Sequence, residues 1–425
     1  MTKTNFPKGF LWGASTASHQ VEGGTETDWD RWERAHASKS YRTTKLLLGR
    51  LKNWPEIRDQ AQIPETYIAG RGVDHYNRYA EDFKIVTQLH MNTFRFSIEW
   101  ARIEPRAGEW DMAEIEHYRT YLTTLRAQGT EAFVSLWHFT SPTWFMDRGG
   151  FAKQANVALF TRYVEKIAEE LGDLLTFVNP MNEPNTYVLM SYLAGLWPPQ
   201  RHNLFTAVRV YKNLIAAHAA AYRVLKSHTP HIQVGTVTAL NVDKLASRSV
   251  AARFTQWVWQ RVAKYWFLDN VRATSDFVGV NFYMTNYYPW YGGVSTPKQP
   301  KNDLGWYMEP GAIDKLLVEV YDRYKQPVYI TENGVADNHD QYRQWWIEQT
   351  IIAMRGALDQ GVDLRGYLHW SLLDNFEWAF GWLAEFGLVH VDRATMQRTI
   401  RPSAQWFGDE IARLRAEETS AKSQK

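Results

Sequence analysis

Two glutamates in this chain end short apolar runs, and each stands beside an asparagine: Met181-Asn182-Glu183-Pro184 and Tyr329-Ile330-Thr331-Glu332-Asn333-Gly334. A lone glutamate is most often half of a surface ion pair. Two of them, each closing a run free of other charge, fit a different chemistry. Hydrolysis of a glycoside with retention of configuration uses two carboxyls about 5–5.5 Å apart, one protonated and one ionised. Glu183 reads as the acid/base and Glu332 as the nucleophile of a double displacement through a covalent intermediate.

Neighbouring residues indicate how the two roles would separate. Arg95 is a lone cation within Phe94-Arg95-Phe96-Ser97. A buried arginine needs an anion. Glu332 is its natural partner, and the cation would hold that carboxylate ionised at neutral pH. Tyr283, in Asn281-Phe282-Tyr283, is expected to hydrogen-bond the same carboxylate, with Asn281 among the substrate-binding groups. Glu183 must be protonated before attack and deprotonated after it, so desolvation and the charge of Glu332 should raise its pKa. Asn182 is expected on the sugar 2-hydroxyl, a bond that strengthens in an oxocarbenium-like transition state.

Carboxylates so distant in sequence need a scaffold that brings them together. Apolar segments at 10–15, 93–98, 131–137, 176–182, 232–237, 276–282, 327–331 and 366–372 read as strands. Phe133-Val134-Ser135-Leu136-Trp137 is nearly continuous in hydrophobicity, as strands buried on both faces are. Between them, Val157, Phe160, Val164, Ile167 and Leu171 follow the spacing of one apolar helix face, as do Tyr79, Phe83, Val86 and Leu89. Gly129 and Gly361 sit where a left-handed cap would end a helix. Eightfold strand-helix alternation predicts the α/β class: one (β/α)₈ TIM barrel over 1–425, with 416–425 a disordered tail. Glu183 then closes the fourth strand and Glu332 the seventh, at the face where barrel enzymes carry their chemistry.

Two stretches break the repeat. Residues 33–73, with Lys39, Arg42, Lys45, Arg50 and Lys52, read as a solvated surface loop, or more sharply as a lid at the rim. Residues 287–305, rich in Tyr, Trp, Gly and Pro, read as rim.

Composition narrows the function classes. A net charge of +2 argues against a dedicated nucleic-acid binder. With no cysteine, a disulfide framework, a thiolate metal site and a cysteine nucleophile are excluded. The start, Met1-Thr2-Lys3-Thr4-Asn5-Phe6, lacks the apolar stretch of a secretory signal, and no run approaches a membrane span. The expected location is cytoplasmic, with no membrane partner. Trp 20, Tyr 22 and Phe 20 supply many rings able to stack on sugars.

The motifs together resemble glycoside hydrolase family 1, the β-glucosidase family. Phe10-Leu11-Trp12-Gly13-Ala14-Ser15 with Ser18-His19-Gln20-Val21-Glu22-Gly23 looks like its first strand and glycone-binding glutamine, Gln20. Asp74-His75-Tyr76, the Arg95 strand and Trp137-His138-Phe139 follow in family order. Trp370-Ser371-Leu372-Leu373-Asp374-Asn375-Phe376-Glu377-Trp378 and Phe386-Gly387-Leu388 match the segment after the eighth strand. The resemblance implies that His138 bonds the sugar, Trp370 stacks on it, and Glu377 accepts from the 4- and 6-hydroxyls. It also implies that Trp378 contacts the 3-hydroxyl and that Phe386 lies in the binding site. It implies an exo-acting enzyme on terminal β-glucosyl units, with galactosyl and fucosyl as further glycones. Expected ligands are small β-glycosides or short β-linked oligosaccharides, with no metal and no organic cofactor. A catalytically silent sugar binder and a transglycosidase are the competing readings; oligomeric state is left open.

The chain departs from the pattern in places. Pro180 stands where the family commonly has threonine, and a proline there removes a ladder donor from a central strand. The connection from Asn241 to Asp276 is short, which predicts a more open aglycone side. Glu385 replaces the usual Lys or Arg. With Glu377 it would repel a phosphate, which argues against a 6-phospho-β-glycosidase.

Overall fold

Eight parallel strands close a barrel in a computed structural model that describes residues 5–295, 297 and 300–420. They are β1 Leu11–Ser15, β2 Thr93–Ser97, β3 Glu131–Ser135, β4 Phe177–Asn179, β5 Gln233–Ala239, β6 Phe277–Phe282, β7 Val328–Asn333 and β8 Leu364–Trp370. Each pairs in parallel with its sequence neighbours in this set, and β8 closes on β1 through Leu11↔Gly366 to Ser15↔Trp370. All eight lie within or across the apolar runs read from the sequence, so the TIM-barrel expectation holds.

Alternation along the strands sorts side chains between barrel interior and helical shell. Phe133, Phe177, Phe277, Tyr329 and Leu368 pack together inside the barrel. Phe133 and Phe177 are stacked at 5.5 Å, with Phe277 edge-on at 5.3 Å. This aromatic floor fills the lower barrel. Two residues further along, Ser135 Oγ donates to Asn179 Oδ1 at 2.8 Å, so a polar layer replaces the apolar one towards the strands' C-terminal ends. Phe94 and Phe96, flanking Arg95, belong instead to the core between barrel and helices.

The shell follows the periodicity. Helix Val157–Leu171 buries Phe160, Val164, Ile167 and Leu171, and helix His75–Gln88 buries Phe83 and Val86. Gly129 and Gly361 adopt φ of +73° and +85° shortly after helices Met112–Ala127 and Arg343–Asp359, as left-handed caps. The final helix, Pro402–Ser420, runs past residue 416, where the polar tail was expected to begin; 421–425 lie outside the described residues. No helix among the described residues is long and apolar enough to cross a membrane.

The loop expected over 33–73 is mostly helix. Helix α1, Asp28–Leu48, starts with a capping box in which Thr27 and Asp30 satisfy each other's backbone N–H groups. Helix Trp54–Ala61 and a 3₁₀ turn, Pro64–Tyr67, follow. Its periodicity is masked because the buried face of α1 mixes Asp30, Glu33 and Thr44 with Trp29, Ala37 and Leu48.

Candidate active site

Two local irregularities aim the glutamates. In plain alternation Tyr329 faces in, Ile330 out, Thr331 in and Glu332 out. A register shift intervenes: Val280 pairs with Ile330, but Asn281 pairs with Glu332, leaving Thr331 as the extra residue of a β-bulge. Thr331 Oγ1 donates inward to Asn281 Oδ1 at 2.7 Å, and Asn333 reaches outward to Trp346 and Thr350. Glu332 is therefore turned into the barrel mouth. On the other side, β4 stops at Asn179, before Pro180, and pairing resumes where the Asn182 N–H donates to the Trp137 carbonyl at 2.9 Å. The next residue, Glu183, has φ +40° and precedes helix Pro184–Val188. A left-handed glutamate is uncommon and costs strain that its surroundings must sustain. Phe139 and Trp378, on the same cavity wall, also have positive φ.

One hydrogen-bonded network joins the two carboxyls. The Arg95 guanidinium, fully buried, donates to Glu332 Oε1 and, through Nη2, to Asn182 Oδ1 at 2.6 Å. Tyr283 Oη donates to Glu332 Oε2 at 2.7 Å. Asn281 Nδ2 donates to Glu183 Oε1 at 2.7 Å. Arg95 has therefore found the anion its burial required, and the Tyr283 bond expected from the sequence is present.

Electrostatics separates the carboxyls further. Burial, then repulsion from Glu332, raises the Glu183 pKa to about 7, against hydrogen bonds and Arg95 that lower it. Burial with the charges of Glu332 and Glu183 raises Glu377 to about 8. Burial and the Arg95 charge push His138 well below its ordinary range, so its ring is neutral. Asn182 Nδ2 lies 3.0 Å from His138 Nε2 and donates to it. The ring proton then sits on Nδ1, a buried atom with no protein partner. It is free to donate to a ligand hydroxyl.

A cavity of about 370 Å³ opens over these groups. Among the expected site residues, Asn182, Glu183, Tyr283, Glu332, His138, Trp370, Glu377, Trp378 and Phe386 line it. His138 stacks near Trp370 and Trp378, with centroids 5.9 and 6.0 Å away. Arg95 and Asn281 lie one layer beneath. Gln20 is also off the wall: its Nε2 donates to Phe376 O at 2.7 Å and Asn375 Oδ1 at 3.1 Å, beside Glu377, while its Oε1 has no protein partner.

The remaining wall was not foreseen residue by residue. Thr43, Thr44 and Leu47 of α1 reach the cavity, so the rim reading of 33–73 holds in substance although its loop does not. Met190, Leu196, Met284, Trp306 and Phe380 add an apolar side away from the carboxyls. The segment 287–305 contributes no lining residue among those described; its flanks, Met284 and Trp306, do so instead. Glu385 does not face the cavity. It is paired with Arg401 at 2.5 Å and lies 3.6 Å from His390, and Glu377, its pKa raised to about 8, is largely uncharged at neutral pH, so the expected repulsion of a phosphate by these two carboxyls is not carried by the site. Of the three side-chain clusters among the described residues with the spacing to hold a metal ion, His19–Asp30–Glu33 already spends its carboxylates on internal hydrogen bonds, Asp374–Glu385–His390 is bridged by Arg401, and Glu165–Glu169–His228 is exposed and outside the cavity.

The sequence model of glycosyl hydrolase family 1 matches residues 2–273 and 268–415. Beta-glucosidase A of Thermotoga maritima is 30% identical over 97% of this chain and 98% of its own length. A 1,4-beta-D-glucan glucohydrolase of Thermotoga neapolitana is 30% identical over 96% and 98%. Among solved structures, a beta-glycosidase from Pyrococcus horikoshii superposes with a TM-score of 0.84 at 32% identity, covering 96% of this chain and 95% of that one. The Thermotoga maritima beta-glucosidase in complex with glucoimidazole gives 0.84 at 28% identity, covering 96% and 99%.

Proposed function

The chain belongs to glycosyl hydrolase family 1, and on that premise we propose that it is a retaining exo-β-glucosidase with Glu332 as nucleophile and Glu183 as acid/base. The observation that carries this reading is the unequal treatment of two carboxyls at one cavity. Glu332 is ion-paired to Arg95 and held by Tyr283, whereas Glu183 has a pKa of about 7. Glucosidase relatives support the same activity.

In the first step a Glu332 oxygen forms a bond to the anomeric carbon as the bond to the aglycone oxygen breaks. Glu183 gives its proton to that departing oxygen. Tyr283 and Arg95 fix the nucleophile, and orientation of this kind removes much of the entropic barrier. In the second step Glu183, now a carboxylate, takes a proton from water as the water oxygen displaces Glu332. Two inversions return the β-configuration. Asn182, held by Arg95 and His138, presents its amide towards the 2-hydroxyl. His138 Nδ1, Glu377 and Gln20 Oε1 offer further partners for glycone hydroxyls, over the Trp370 and Trp378 rings. Glucosyl is the leading glycone, with galactosyl and fucosyl accepted, since an axial or equatorial 4-hydroxyl changes only a bond or two at Glu377.

The test is proton NMR of the first sugar released from an aryl β-glucoside, together with assays on β-galactoside, β-fucoside, α-glucoside and 6-phospho-β-glucoside. A β-configured first product and turnover confined to the unphosphorylated β-substrates are expected. An α-configured first product would overturn the double displacement.

A further inference from the structure

The cavity mouth is bordered by two segments, with a third beside them, that combine exposed apolar side chains with an excess of cations. The first is the C-terminal half of α1. From 34 to 55 the chain carries Arg34, Lys39, Arg42, Lys45, Arg50 and Lys52 and no acidic residue, and Leu46 stands 81% exposed. The second is the stretch 189–205, which supplies Met190 and Leu196 to the cavity and leaves Phe205 83% exposed, with Arg201 exposed in the same stretch. The third is helix α2, Val250–Trp259, whose Phe254 and Trp257 are exposed at helical spacing and stacked 6.2 Å apart. Arg248, Arg253 and Arg261 are exposed around them, and the Arg261 guanidinium sits 5.9 Å over the Trp257 ring. Trp290 packs its loop on α2 through Ser249 Oγ and is itself 71% exposed.

The segments are contiguous. Lys39 and Thr43 of α1 share a small cavity with Gly195, Leu196 and Gln200, and Leu189 shares another with Trp259, the last residue of α2, and Ala263. Between 184 and 268, Lys226, Lys244 and Lys264 are paired with Asp276, Glu309 and Asp243, whereas Arg201, Arg248, Arg253 and Arg261 are exposed. Exposed Trp, Phe and Leu flanked by arginine make a surface that partitions into a headgroup layer, where aromatic rings and guanidinium groups both find partners. A second copy of the chain fits poorly, because a twofold contact through this face would bring two cation-rich patches together.

We propose that this rim docks on an anionic lipid bilayer. Resting on the hydrolase reading above, the substrates reached there are β-glucosides of lipid aglycones, which the apolar wall of Leu47, Met190, Leu196, Met284, Trp306 and Phe380 would receive. The absence of a spanning helix among the described residues concerns insertion and leaves surface docking untouched.

Co-sedimentation with vesicles of phosphatidylcholine containing phosphatidylglycerol, against phosphatidylcholine alone, tests the docking. Binding to the anionic vesicles, weakened by added salt, is expected. Each cation near such a surface is worth about fivefold in partition, so Arg253→Glu/Arg261→Glu should weaken it roughly 25-fold or more. Phe254→Ser/Trp257→Ser should weaken binding to the same vesicles with its charge intact. Absence of binding by the wild type, or equal binding by the glutamate variant, would overturn the docking. A dimer in sedimentation analysis that Phe254→Ser/Trp257→Ser dissolves, without vesicle binding, would assign the face to a second copy. Hydrolysis of a β-glucosyl diacylglycerol placed in both vesicle types should be faster on the anionic ones and should fall in both variants. No hydrolysis of it by vesicle-bound enzyme would overturn the substrate class. Turnover of a soluble aryl β-glucoside without vesicles, expected unchanged in both variants, reads the hydrolase function separately.

Discussion

Replacing Asn281 by leucine should move the alkaline limb of the pH–activity profile upward. Asn281 Nδ2 donates to Glu183 Oε1 at 2.7 Å, a bond that favours the ionised carboxyl against the rise caused by burial and by Glu332. A hydrogen bond to a charged group is worth about 1.5–3 kcal/mol, and 1.36 kcal/mol corresponds to one pKa unit. Its loss therefore moves the limb by roughly one to two pH units. Leucine is close to asparagine in size, so water does not enter to offset the change. The sign follows from the proposed role of Glu183 as the acid of the first step. Protonated enzyme is the active form, so kcat/KM falls as pH rises through the Glu183 pKa of about 7. A higher pKa carries that fall to higher pH. The variant should retain a larger fraction of its own maximal kcat/KM in mildly alkaline buffer than the wild type does. Its maximum will be lower, because Asn281 also ties Glu183 to Thr331. The assay is kcat/KM for an aryl β-glucoside from about pH 5 to 10, with thermal melts at each pH. Thr331 loses its acceptor in this variant, and adding Thr331→Val removes that orphaned donor. A limb that stays in place or moves down in both proteins would refute the assignment of Glu183 as the group that must be protonated.

Glu332→Ala should reduce kcat for the aryl β-glucoside by at least about 10⁴-fold, since removing a nucleophile collapses the whole unit; activity within tenfold of the wild type would place the nucleophile elsewhere. Arg95→Met strips the buried Glu332 and Asn182 of their cation and should cost about 3–5 kcal/mol of stability in denaturant melts, and a loss below about 1 kcal/mol would mean that the pair behaves as a solvated one. Phe277→Ala opens the aromatic floor between Phe133 and Tyr329 and should cost about 3–5 kcal/mol; a loss below about 1.5 kcal/mol would mean that the floor closes over the gap.

The barrel was legible because its strands are buried on both faces and read as unbroken apolar runs, while its helices keep one apolar stripe. Helix α1 escaped that logic. It lies against the catalytic mouth and buries Glu33 against His19 at 2.8 Å and Asp30 against Thr27, so polar residues occupy positions that periodicity assigns to the core. The signal that was available is the capping box, Thr27 followed three residues later by Asp30. The apolar aglycone side was hidden for a related reason. Leu47, Met190 and Phe380 come from three separate segments, each of which looks like ordinary surface or core until the fold sets them side by side.

The glutamates were found from sequence, but their orientation was not, and the difference is instructive. A strand of strict alternation that points Tyr329 into the aromatic floor must point Glu332 at the helices, where Asn333 in fact goes. The extra residue at Thr331 reverses the parity from Glu332 onward, turning Glu332 in and Asn333 out. Pro180 acts similarly in β4: by supplying no N–H it ends the strand at Asn179 and frees Met181, Asn182 and Glu183 from its register. The proposed catalytic pair therefore sits directly after two local breaks in an otherwise regular barrel. Deleting Thr331 would set Ile330 directly before Glu332 in regular pairing, so alternation alone should keep Glu332 in the mouth. The folded deletion variant should retain turnover of an aryl β-glucoside, and loss of turnover with the fold intact would show that the bulge itself, through the Thr331–Asn281 bond, aims Glu332.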